Sequence, residues 1–488
     1  MDFIADNLPL FMFAALAILL FSGYPVALVL GGIGLTFGFL GIYFDEFLFI
    51  QFRAMSSRVF GIEENIILTA IPMFIFMGTM LERSGVARDL LNCLQVLLRR
   101  VPGGLALAVT IMGTILAATT GIIGASVVMM SLLALPVMID RNYSAPLATG
   151  TIAASGTLGI LIPPSIMLVI MAELLERSVG NLFVAAVFPG LILSGLYMVY
   201  ITTYARMKPE VAPPLAAEIG PQTKAGVWMM VLRSFLPPVF LIFLVLGSIL
   251  AGWATPTEAA GVGAFGALFL GLVNLVLLPA LGVQEMHFEG EAQAEFDDHA
   301  VGGGLFAELK HFWSVVRDVV QRTALTNAML FGIFIGATLF SYVFRALGGD
   351  DLVIGLVEAM GLESWGLLFL ILAIVFFLGF FFDWIEITLI VLPVFSPIIQ
   401  LFDFGAHVER FEVVYWFAIL LAVNLQTSFL TPPFGFALFY MKAVAPPSVK
   451  IDQIYLGIIP FVILQLIGMI LVLLFPEIAL WLPRVLLN

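Results

Sequence analysis

Apolar residues in this chain run in long blocks and do not alternate with polar ones. Blocks at 8–21, 26–44, 66–81, 182–204, 235–250, 258–278, 325–344 and 454–474 approach or reach the roughly 20 residues a helix needs to cross a bilayer. Two longer stretches, 105–139 and 365–401, carry a polar tip at mid-length. The first tip reads Thr119-Thr120-Gly121-Ile122-Ile123-Gly124-Ala125-Ser126, and the second runs from Gly379 to an Asp383-Trp384-Ile385-Glu386 sequence. Each arm is marginal for a full crossing, so the pattern predicts re-entrant hairpins with their tips inside protein.

Two apolar segments, 145–178 and 411–443, cannot stay helical through their centres. The first contains Gly156, Gly159 and Pro163-Pro164, and the second contains Pro432-Pro433. Glycine loosens the backbone, and proline removes an amide donor and clashes with the preceding turn. Lipid supplies no replacement hydrogen bonds, so a break at that depth must face protein or a polar cavity. Broken helices expose carbonyl oxygens and half-helix ends, which bind ions, and a matched pair of them is the best pointer in a sequence to a transporter site.

The elements recur in the same order. Residues 1–205 and 234–481 each read as span, span, span, interfacial helix, hairpin, broken helix, span, separated by a polar, Pro-rich linker at 206–233. Pro136 matches Pro393, Pro163-Pro164 matches Pro432-Pro433, and Pro189 matches Pro460. An odd number of crossings per unit makes the second unit inverted. With 206–233 in the cytoplasm, Arg83, Arg88, Arg99, Arg100, Lys310, Arg317, Arg322, Lys442 and Lys450 all fall inside, as the positive-inside rule requires. The expectation is an all-α integral membrane protein. It has about ten transmembrane helices, two re-entrant hairpins and two broken helices in an inverted repeat. Residues 45–64 read as a mixed-charge loop, and the N-terminus as the start of the first span.

Composition narrows the function. Of 488 residues, 62% are hydrophobic and 11% charged, less than half the charge of a soluble protein. Twenty Lys and Arg without a basic tract argue against nucleic acid. One cysteine, Cys93, excludes intrachain disulfides and multi-cysteine metal sites. The four histidines lie in or near polar segments, and no HExxH, Walker-type or GxSxG motif occurs. A membrane-embedded enzyme therefore lacks its convergent groups, and a channel would not need two hinged interruptions. The acidic cluster in 282–304 reads as a solvated insert.

Hydroxyl and amide residues precede each break: Ser155 and Thr157 in the first, and Asn424, Gln426, Thr427, Ser428 and Thr431 in the second. The bland reading is a kinked packing helix, common in membranes. For the first tip the alternatives are small-residue helix packing and oxygen ligation of a hard cation such as sodium. Asp383 could neutralise a cation or cap the following half-helix, and Glu386 could face a cavity mouth.

Several stretches together resemble a known family. They are ASGTLGILIPPSI (154–166), FPGLIL (188–193), PGGLA (102–106), ATPTEAAGVGA (254–264) and NLQTSFLTPPFG (424–435). They are similar to the large membrane subunit of tripartite ATP-independent periplasmic (TRAP) transporters, and TPPFGFALFYMKAVAPP (431–447) looks most like the branch labelled for mannitol or chloroaromatic compounds. The resemblance implies an inner-membrane, secondary active importer of small organic acids, sodium-coupled and elevator-like, with no other cofactor. It also implies two partners, a small four-helix membrane subunit and a periplasmic solute-binding protein. By position, it implies a first sodium site at Thr120, Ser126, Gly159, Ile162 and Pro164. A second would use Asp383, Thr427, Ser428, Thr431 and Pro433. Substrate would contact Ser155, Gly156, Thr157, Ser165, Asn424, Gln426 and Thr427. A single-component carboxylate symporter of related inverted-repeat design is the alternative. The insert at 282–304 departs from the family's shorter loop.

Overall fold

The computed structural model describes residues 5, 7–121, 123–215, 220–281, 305–432 and 435–486, with the side chains of 117–120 and 397 outside that set. The acidic insert at 282–304 and Pro433 lie outside the described residues. Among those described, all regular structure is helical.

The first half holds α1 (Leu8–Leu20), α2 (Val26–Tyr43), α3 (Gln51–Glu63), α4 (Ile66–Arg83) and α5 (Val86–Leu98). The hairpin follows as α6 (Gly104–Thr120) and α7 (Ile123–Asp140), then the broken helix as α8 (Ala145–Thr157) and α9 (Ile166–Leu174), and finally α10 (Val179–Met207). The second half repeats this with α11 (Lys224–Leu250), α12 (Pro256–Ala280), α13 (Leu305–Ala346) and α14 (Gly349–Met360). Its hairpin is α15 (Ser364–Leu378) and α16 (Trp384–Ile399), its broken helix α17 (Val413–Leu430) and α18 (Phe436–Val444), and its last span α19 (Ile451–Leu474). A short helix, α20 (Glu477–Leu486), closes the described chain. Nine described helices are long and apolar enough to cross a membrane, or ten if α14 and α15, bent by 116° at Gly361, are one span. At 18 residues α7 is among the nine by length, whereas α1 has only 13.

Three features differ from the pattern-based expectation. Residues 51–63 form α3, an amphipathic helix whose low hydropathy disguised it as loop. The amphipathic stretch and the span expected at 309–322 and 325–344 are one helix of 42 residues, because the polar interval between them contains no helix breaker. The helix α20 is only ten residues long and carries Pro483, which conceals it.

Two layers result. In one, α2 packs on α13, α4 on α12, and α4 on α13. In the other, α8 packs on α19, α10 on α17, α7 on α18, and α9 on α16. Matching the halves by order makes α2 the counterpart of α12 and α4 of α13, so α2–α13 and α4–α12 are one contact seen twice. The same exchange relates α8–α19 to α10–α17, and α7–α18 to α9–α16. Two-fold-related halves must pair in this way.

Packing follows membrane rules, where close backbone approach replaces the hydrophobic drive. A Cβ on Gly150 of α8 would collide with the carbonyl oxygen of Gly457 on α19, and one on Gly457 would strike that of Pro146. Both positions therefore need glycine.

Candidate functional site at the paired helix breaks

α8 starts at Ser144, whose hydroxyl accepts from the Leu147 amide, with proline in its first turn. It ends at Thr157 and passes through a 3-10 turn, Leu158–Ile160, to Pro163-Pro164, joined by a cis peptide. Ser165 precedes α9, and its hydroxyl donates 2.8 Å to the Ile160 carbonyl, one of those the break frees. On the other half, α17 runs to Leu430 with every residue from Trp416 to Leu430 buried.

The two breaks meet. Gln426 Nε2 donates to Thr157 Oγ1 at 3.3 Å, and Thr157 Oγ1 donates in turn to the Ala154 carbonyl at 2.9 Å. Both side chains are 0% exposed, yet Gln426 Oε1 has no partner among the described residues. An unpaired buried acceptor carries a full desolvation penalty unless water or another donor meets it. Asn424 Nδ2 donates to the Leu372 carbonyl of α15 at 2.8 Å, and Ser155 Oγ donates to Thr110 Oγ1 of α6 at 3.4 Å. Gly156 lies against Val127 of α7. Thr427, Ser428 and Thr431 each donate to a carbonyl one turn back, at 2.8 Å. Their oxygens keep lone pairs for a further partner.

The hairpin tips pack on these breaks. Gly121, at φ +57, turns the first hairpin, and a Cβ there would lie 2.8 Å from Ile166 at the start of α9. Gly124 would meet the Tyr440 ring of α18 at 2.8 Å. In the second tip a Cβ on Gly379 would lie against Ser428 of α17, at 2.7 Å from its Cβ. Phe21, beyond α1, packs edge-to-face on Phe381 with ring centroids 5.1 Å apart.

Asp383 caps α16. Its Oδ1 accepts from the Trp384 amide at 2.8 Å, and Glu386 Oε2 accepts from the Asp383 amide at 3.3 Å, a reciprocal capping box. The side chain of Asp383 thus serves as a helix cap, accepting from amides of the first turn of α16.

Of the first expected cation set, Ser126 stands in the first turn of α7, while Gly159, Ile162 and Pro164 lie in the break, with Ile162 against Gly190 of α10. Thr120 ends α6, its side chain outside the described set. Of the second set, Ser428 lies against Gly379 of the second tip, Asp383 caps α16, Thr427 and Thr431 lie on and just after the last turn of α17, and Pro433 lies outside the described residues. Among the described residues no group of three or more His, Cys, Asp or Glu could hold a metal, so any cation here would rest on hydroxyl and carbonyl oxygens with at most the tip carboxylates.

Tyr440 was not singled out from sequence. It touches the first tip and lies within electrostatic reach of Asp383 and Glu386 of the second. The only sequence signal was a hydroxyl-bearing ring one turn and a half beyond the second break.

A family model described as the DctM component of tripartite ATP-independent periplasmic transporters matches residues 13–478. The chain is 29% identical to the C4-dicarboxylate TRAP transporter large permease protein DctM of Pseudomonas aeruginosa, covering 88% of this chain and 90% of that one. It is 27% identical to the sialic acid TRAP transporter large permease protein SiaM of Vibrio cholerae, covering 96% and 97%. The crystal structure of the Alcanivorax borkumensis YdaH transporter, described as having an unusual topology, aligns with a TM-score of 0.56 at 12% identity over 96% of this chain and 98% of that one. That likeness concerns the fold alone.

Proposed function

This chain belongs to the DctM family of tripartite ATP-independent periplasmic transporters, a multi-pass protein of the bacterial inner membrane, and from that premise we propose that it is the large membrane subunit of a sodium-coupled importer of small organic acids. The solute would arrive from a periplasmic binding protein, and a small membrane subunit would complete the assembly. The observation that carries this reading is the meeting of the two breaks at Thr157 and Gln426, with the buried Gln426 oxygen unpartnered among the described residues and suited to a sodium ion or a solute hydroxyl, not to the carboxylate itself.

The polar side chains and the half-helix N-terminus of α9 suit a carboxylate, because the first amides of a helix have no internal acceptor. Hydroxyl and carbonyl oxygens at the tips suit sodium, and its binding would draw each tip onto its break. The hairpins, broken helices, α10 and α19 would then move as one body past α2, α4, α12 and α13. Each net positive charge carried inward gains about 2.3 kcal/mol per 100 mV of membrane potential. Two sodium ions with one monocarboxylate would therefore use voltage as well as gradient. The relatives' substrates, C4-dicarboxylates and sialic acid, are acids and support that substrate class.

The test is uptake into proteoliposomes containing the small subunit and the binding protein, with and without an inward sodium gradient. Uptake indifferent to sodium rejects the coupling. Asp383→Asn separates the roles of that carboxylate, since Asn caps helices about as well as Asp. Loss of sodium dependence in a well-folded variant supports ion contact, and wild-type behaviour assigns Asp383 to capping alone.

A further inference from the structure

In an α-helix the amide of residue i+4 satisfies the carbonyl of residue i, so Pro397 has no N–H to give the carbonyl of Pro393 in α16. That carbonyl is not left bare. Arg345, in the last turn of α13, donates to it from Nη2 at 2.6 Å. The guanidinium is oriented from its own layer by Asp350, whose Oδ1 lies 3.7 Å from Nε. The bond crosses from the layer of α2, α4, α12 and α13 to the hairpin layer. Beside it a second tether crosses the same boundary, where Asn65 Nδ2 at the start of α4 donates 2.6 Å to Glu173 Oε1 at the end of α9.

Between the two tethers lies a cavity of about 650 Å³, lined by Arg58, Glu173, Tyr342, Arg345, Ser396 and Gln400 among others. A polar cavity of that size holds water, which can replace either partner when the bond breaks. The Arg345 side chain is 45% exposed. The contact is therefore reversible, unlike the sealed glycine crossings within each layer.

We propose that Arg345 is a positioning residue for transport: it caps the carbonyl orphaned by Pro397 and holds the return arm of the second hairpin against α13 at one end of its travel. This rests on the reading of the hairpins as the moving body. Releasing the bond would favour the opposite position, and a charge-assisted hydrogen bond suffices to change the ratio of two states by about tenfold.

The test uses the full chain in lipid nanodiscs with spin labels on Ile66→Cys and Leu401→Cys, both exposed and on opposite layers. Distances are read by double electron–electron resonance. Arg345→Ala is expected to move the distance distribution toward its second population by about tenfold. Pro397→Ala restores an amide for the Pro393 carbonyl without touching Arg345, and is expected to move the distribution in the same direction. The double variant should shift it no further than Arg345→Ala alone, and Arg345→Lys should retain part of the wild-type population. Wild-type distances that respond to sodium or a dicarboxylate while both single variants match wild type would overturn the proposal and leave the moving-hairpin reading standing. Additive effects in the double variant would also overturn it. A distance that no condition and no variant changes rejects the moving-hairpin reading and the tether together.

Discussion

Gln426 and Thr157 are bonded to each other at 3.3 Å, and they stand 269 positions apart, the same interval that separates Pro163 from Pro432. They are therefore equivalent residues of the two halves, meeting where the halves exchange. An amide in one half and a hydroxyl in the other make the pair asymmetric, so the amide oxygen has no counterpart to satisfy it.

Gln426→Leu removes that oxygen and the bond to Thr157. The expected result is solute affinity lower by at least about tenfold, with a melting temperature unchanged or raised, because the lost acceptor was unpaired in the empty protein. Thr157→Val, which keeps the amide, should fall between. Uptake kinetics read against thermal melting in detergent check both. A large drop in melting temperature for Gln426→Leu would assign the residue to structure.

Gly150→Ala places a methyl group on the Gly457 carbonyl and is expected to cost about 1–3 kcal/mol or more, seen as a lower melting temperature and loss of a monodisperse species. Gly195→Ala, on α10 with nothing within 4 Å of the added carbon, is the matched control and should behave as wild type.

Arg484 of α20 donates from Nε to Glu412 Oε1 at 2.6 Å and from Nη1 to Glu477 Oε1 at 2.7 Å. Glu412 is only 4% exposed, so Arg484→Ala strands a buried carboxylate and should destabilise by about 2–3 kcal/mol. The side chain of Glu477 is 60% exposed, and Glu477→Ala should cost under about 1 kcal/mol. Thermal melts of the two variants decide the ranking.

Cys93 packs with Val96 and Met230 and is fully buried. Burial, helped by the nearby Asp89, pushes its thiol up to about 11. At pH 7 roughly one molecule in 10⁴ is thiolate, the reactive form. Maleimide at neutral pH should leave the native protein unlabelled and label it fully in denaturant, as intact mass spectrometry would record.

Much of the architecture could be read from the sequence because bilayers enforce it. A helix break at that depth has few tolerated settings, so Pro163-Pro164 and Pro432-Pro433 announced themselves, as did the matching order of the halves. The meeting of Thr157 with Gln426 was not legible, since nothing local says which turns face each other. The Arg484 contact to Glu412 is hidden for the same reason. For Asp383 the sequence left capping and charge open, and the structure supplies the Asp383–Glu386 capping box. The helix α3 is hidden from the pattern because its charged residues resemble a loop, although they form helix readily where one face finds protein.

Helical bonding is unbroken from Leu305 to Ala346, some 63 Å at 1.5 Å per residue and about twice the hydrocarbon thickness. Its two ends therefore behave as the ends of one lever. A tilt forced on the Arg345 end must displace Lys310 near the other end. A fluorophore attached at Lys310 would thus report events that begin at the far end of the same helix.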